Sequence, residues 1–192
     1  MNTKLLTALL LGLNVLPTFA RTQRLPCDLR INQQWVDLDP QHTKRFGQKM
    51  VLVGELIFRK RSNELISVGE IGLMWKGKEI GHLNASLFKK GAHKTLVPVE
   101  ESLVCDGTWN NKKQTLIMKF NEKEYLEPTT TFCLVLTVPD TLETTLKDGH
   151  FDIITETLPH QVQKTLKKKH TRISFAQANV KAQRLHKFTR KG

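Results

Sequence analysis

The chain has 192 residues, 39% hydrophobic and 25% charged, with 30 Lys and Arg against 18 Asp and Glu and a formal net charge of +12. That length supplies one domain with a real core, and past the N-terminus no apolar run approaches the ~20 residues a spanning helix needs. A uniformly basic protein is excluded: residues 160–192 hold ten Lys and Arg and no acid, while residues 21–159 hold nineteen basic and eighteen acidic residues.

The first residues set an expectation for the compartment. Lys4 provides a positive start, residues 5–16 are apolar apart from Thr7, Gly12 and Asn14, and Thr18 and Ala20 are small residues ahead of Arg21. This pattern predicts a signal peptide over residues 1–20 and a secreted or periplasmic mature chain, with no transmembrane helix after cleavage. Cys27, Cys105 and Cys133 would then meet an oxidising environment, where one disulfide and one remaining thiol is the simplest outcome.

The body alternates in the manner of half-buried strands. A weak first strand is predicted over 29–38, then strands over 49–59 and 65–75, and a tight hairpin at Lys76, Gly77 and Lys78 leading into 79–88. Strands over 95–105, 114–120 and 131–138 follow. Leu116, Met118 and Phe120 share one face, as do Phe132, Leu134, Leu136 and Val138. A connection over 139–149 with one helical turn at 142–146 precedes a last strand over 151–158. Period-two alternation bounded by Gly, Asn and Pro predicts a mainly β fold: one antiparallel β-sandwich of about eight strands over residues 21–159. Counting strand directions puts Cys27 and Cys133 at the same end and Cys105 at the other, which predicts a Cys27–Cys133 disulfide.

The strand pattern stops at Pro159. A short helix is predicted over 161–170, with Val162 and Leu166 on one face. A second is predicted over 175–188, capped by Ser174, with Phe175, Ala178, Ala182, Leu185 and Phe188 in one stripe. The cations of this helical or partly disordered arm are Lys164, Lys167, Lys168, Lys169, Arg172, Lys181, Arg184, Lys187, Arg190 and Lys191. A basic amphipathic segment suits a membrane surface or the groove of a partner. The arm is therefore the candidate contact, with Phe175, Leu185 and Phe188 as its apolar face.

These features favour a non-enzymatic binding protein whose arm meets an anionic surface (lipid headgroups, glycan or lipopolysaccharide) or an acidic protein. The alternatives are a subunit of an envelope assembly docking through the arm, and a small secreted enzyme. Sequence-specific nucleic-acid reading is not expected, since the arm's two aromatics form no stacking motif. No catalytic, phosphate-loop or paired-cysteine motif is present, and neither cofactor nor metal is assigned. His150 and Asp152 fall on one side of a strand, where they could orient a base. Asp37, Asp39, Asp140, Asp148 and Asp152 sit near two loops, where they could supply part of a calcium site or serve ordinary turns. Trp109, in a polar loop, is a further contact candidate.

Overall fold

A computed structural model describes residues 27–38, 48–91, 100–166 and 171–175. Its strands are β1 (Cys27–Asp37), β2 (Gln48–Lys60), β3 (Ser67–Lys76), β4 (Asn84–Lys89), β5 (Leu103–Asn110), β6 (Thr115–Tyr125), β7 (Thr129–Pro139), β8 (His150–Ile154) and β9 (Arg172–Ser174), with helices α1 (Asp140–Lys147) and α2 (His160–Gln163). All pairings are antiparallel, and the nine strands form one sheet in the order β1-β2-β7-β4-β5-β6-β3-β8-β9. The sheet curls until its two edges meet: the Gln33 side-chain amide on β1 donates 2.9 Å to the Arg172 carbonyl on β9. The mainly β, antiparallel fold is as the alternation predicts, but the two layers are continuous and nearly close into a barrel.

The layers are joined through β5. Its first half pairs with β4 (Leu87 opposite Cys105) and its second half with β6 (Gly107 opposite Met118). Gly107 stands at the handover, where a Cβ would lie 2.6 Å from Leu116 Cδ1 and 3.3 Å from the Ala85 carbonyl oxygen. A side chain here would have to displace the end of Leu116 and crowd the Ala85 carbonyl, so a glycine suits the handover.

Inward residues fill the interior. Leu116, Met118 and Phe120 of β6 meet Phe132, Leu134, Leu136 and Val138 of β7, all buried. Phe132 takes Phe120 and Phe58 edge-on at 5.3 and 5.7 Å, the favoured geometry for aromatic rings. The core is therefore packed side chain rather than lumen.

Strand order departs from the sequence reading in three places. The turn at Lys76–Lys78 does not join paired strands, because β3 pairs with β6 and β8. What the turn does is seat Trp75, whose indole N–H donates 2.7 Å to the Lys78 carbonyl. The fifth strand runs Leu103–Asn110 after a 3-10 turn over Glu100–Ser102, positions 95–99 of the predicted strand lying outside the described residues, and the last predicted strand ends at Ile154 in a 3-10 turn over Thr155–Thr157.

The cysteines are a second correction. All three are free and buried, so the predicted Cys27–Cys133 disulfide is not formed. Cys27 is opposite Lys60 and Cys133 opposite Glu55, on either side of β2. Two strand spacings of ~4.8 Å and an offset of about five residues separate them far beyond the ~7 Å a disulfide spans. They also face different ways: Cys27 joins the main core, and Cys133 a smaller cluster with Leu52, Phe88 and Val135. Cys105 faces the main core as well, so it does not meet Cys133 across β4.

Candidate functional site

The cationic segment begins as part of the fold. Val162 and Leu166 lie one helical turn apart and both meet the main core, Val162 fully buried. Pro159 opens α2, its carbonyl accepting the Val162 N–H at 2.8 Å, and the Thr165 hydroxyl donates 2.7 Å to the Val162 carbonyl at the other end. Only Gln161–Leu166 of the predicted first helix is described.

The chain then returns as β9, pairing Arg172 with Asp152, Ile173 with Phe151 and Ser174 with His150. Ser174 therefore ends a strand, and residues 176–188 of the second predicted helix lie outside the described residues. Ile173 and Phe175 are fully buried. The Phe175 ring lies 5.6 Å from Trp35, 6.0 Å from Phe151 and 6.4 Å from Trp75. Of the predicted apolar face, Phe175 thus rests on the protein's own core; Leu185 and Phe188 lie outside the described residues. The Trp75 side of this cluster is shaped by two glycines: a Cβ on Gly77 would come within 2.6 Å of the indole, and one on Gly149 within 2.3 Å.

Two of the predicted contact cations fall within the described residues. Lys164 is exposed at the end of α2. Arg172 is largely exposed, with its Nε 3.6 Å from the Asp152 carboxylate. Lys167, Lys168, Lys169, Lys181, Arg184, Lys187, Arg190 and Lys191 lie outside them.

Asp152 stands between two bases. His150 Nε2 is 3.6 Å from Asp152 Oδ1, longer than a hydrogen bond, so the pair does not hold an oriented base. Burial and the Arg172 guanidinium push the His150 imidazole below its ordinary value, against the opposing pull of Asp152. No group of three or more His, Cys, Asp or Glu suited to a metal occurs among the described residues. Trp109 belongs to β5, half-buried against the core, and not to an open loop.

One arrangement had no sequence signal. The Gln114 side-chain amide bridges to Ile80 twice, accepting from its N–H at 2.8 Å and donating to its carbonyl at 3.0 Å. Gln114 has φ 50, the one positive φ among described non-glycine residues. It ties the β5–β6 turn to the loop before β4, a contact between positions 34 residues apart.

No family model matches the chain, and no curated protein does. Among the described residues, no helix is long and apolar enough to cross a membrane.

Proposed function

We propose that this is an exported binding protein: the β-rich body serves as scaffold, and the cationic C-terminal segment contacts an anionic surface or an acidic partner. The observation that carries this reading is the segregation of charge, ten cations and no acid after residue 159 beside a nearly neutral body. Localised charge of one sign seeks a polyanion, whereas dispersed charge mainly aids solubility. Burial of Phe175 supports the reading in a specific way. It anchors the start of residues 176–192, which carry Lys181, Arg184, Lys187, Arg190 and Lys191, to a rigid aromatic cluster.

The test compares the mature chain with a variant in which those five cations are replaced by Gln. Binding is measured on phosphatidylcholine vesicles with and without phosphatidylglycerol. Each Lys or Arg near an anionic membrane contributes about 1 kcal/mol, so the variant should lose most of its affinity, and salt should weaken the parent. Equal, salt-insensitive binding by both proteins, or no binding by the parent to anionic vesicles or heparin, rejects the electrostatic reading.

A further inference from the structure

The cationic segment leaves the barrel at one rim, and that rim carries charge of the same sign. Ser174 pairs with His150, and His150 with Lys76, so the last described strand and the end of β3 flank β8. Two strand spacings put Ser174 and Lys76 about 10 Å apart, comparable with the Debye length of about 8 Å at physiological salt. Phe175 then turns inward onto Trp75, so residues 176–192 start from this end of the molecule.

The β5–β6 turn belongs to the same rim. The Trp75 backbone N–H donates 2.8 Å to the Gln114 carbonyl, and the Gln114 side chain holds Ile80. Those bonds set Lys112 and Lys113 beside the loop that carries Lys76 and Lys78. All four lysines are exposed, and none makes an ion pair among the described residues. Lys49, Lys89, Lys90 and Lys147, by contrast, each hold a glutamate. Of the acids nearby, Glu143 is already shared by Lys49 and Lys147, and Asp152 lies between Arg172 and His150. Glu79 and Asp148 are the exposed acids that oppose the four lysines. The rim is therefore cationic before the segment is counted.

This bears on what the segment meets, and it rests on the reading of that segment as the contact element. Its Lys181, Arg184, Lys187, Arg190 and Lys191 are interleaved with Leu185 and Phe188. A bilayer takes both kinds, cations at the headgroups and apolar residues at the acyl boundary. A linear polyanion such as heparin offers no apolar phase. The rim brings charge without a wedge: the exposed large hydrophobics Val36, Leu65, Leu103 and Tyr125 all lie outside its two loops. Its contact is thus electrostatic and superficial. The order β6-β3-β8-β9 lays the two lysine pairs and the start of the segment along neighbouring strand ends, within reach of one plane. We propose that the Trp75 end of the barrel lies against an anionic lipid bilayer, with Lys76, Lys78, Lys112 and Lys113 meeting headgroup phosphates beside the segment.

The experiment compares the mature chain with three variants on phosphatidylcholine vesicles with and without phosphatidylglycerol, and on immobilised heparin. The rim variant combines Lys76→Gln, Lys78→Gln, Lys112→Gln and Lys113→Gln. A remote variant removes the same charge elsewhere, through Arg59→Gln, Lys60→Gln, Lys119→Gln and Lys123→Gln. The third is the five-cation variant of the segment. A cation near an anionic leaflet is worth about fivefold in affinity, so the rim variant should bind phosphatidylglycerol vesicles about tenfold more weakly, Glu79 and Asp148 offsetting part of the effect. The remote variant should stay within about twofold of the parent, its charges lying beyond a Debye length from the surface. A lipid with a gadolinium-chelating headgroup should broaden the parent's amides at 76–78 and 111–113, a readout that needs no variant to fold. A rim variant that binds like the parent while the five-cation variant fails overturns this inference and leaves the reading of the segment standing. Equal losses in the rim and remote variants overturn it as well, since net charge alone would then act. So do heparin binding without vesicle binding, and vesicle binding without broadening at the rim. If the five-cation variant binds vesicles as the parent does, the reading of the segment fails and this inference with it.

Discussion

The three thiols show how one residue type can be placed by packing rather than by chemistry. Burial, with a neighbouring acid in each case, pushes Cys27 up to about 11 and Cys105 and Cys133 up to about 12. A thiol that remains protonated and enclosed is a poor nucleophile. Iodoacetamide at neutral pH should therefore leave the native protein unmodified and label three cysteines after denaturation, read by mass spectrometry. A mass consistent with one label, with two sulfurs lost to a bridge, would contradict the structure. The sign of the pH effect follows from the same shifts. Their folded values lie above the unfolded 9.0, so the folded state holds these protons more tightly. Stability on their account is complete below pH 9.0 and is lost as pH rises from there toward 11 and 12. The outward direction of Cys133 was legible in the sequence, because it alternates with Phe132 and Leu134. The disulfide was misread because counting strand directions says at which end of the fold a cysteine lies but not that β2 stands between β1 and β7.

At the scale of elements, the strands were legible and their neighbours were not. β6 and β7 declare themselves by alternation, and the helical turn before β8 is α1, with Leu146 reaching the core. Nothing local announces that β3 pairs with β6 and β8, or that Gly107 lets β5 pass from one layer to the other. β9 was the least visible: it has three residues, and its Ile173 and Phe175 alternate inside a segment whose charges suggest an exposed helix. Its outer face offers a test. His150 is confronted by Arg172 of β9 and Lys76 of β3, with Asp152 the opposing charge. Its folded value lies below the ordinary 6.5, so the folded state disfavours the proton. Stability on its account is complete above pH 6.5 and declines as pH falls through the folded value. His150→Gln should therefore lose less stability than the parent between about pH 7.5 and about pH 5.5, the range in which an imidazole titrates. The measurement is the urea midpoint at each pH. A parallel loss in both proteins would mean that His150 does not sense β9.

For the whole molecule, the decisive question is where the scaffold ends and the charge begins. Charge and alternation together place that border at Pro159, yet Val162, Ile173 and Phe175 beyond it are fully buried. Ile173 also packs near the β2 backbone, 3.7 Å from where a Gly54 Cβ would stand, beside the seam that Gln33 closes. Two truncations separate the possibilities. A chain ending at Phe175 keeps every described element and should unfold with the parent's cooperativity, while losing the five cations that follow. A chain ending at Pro159 loses three buried side chains, each worth about 1.5–3 kcal/mol. It also uncovers the faces of Trp35, Trp75 and Phe151 that Phe175 contacts. That loss is comparable to the whole stability of an ordinary domain, about 5–15 kcal/mol. The shorter chain should be unfolded or should expose enough apolar surface to bind a hydrophobic dye, with its near-ultraviolet circular dichroism collapsed as the indoles lose their fixed surroundings. If it instead retains the parent's spectrum and melting temperature, β9 and Phe175 contribute nothing to the barrel. The cationic segment would then start at residue 160 as a true appendage.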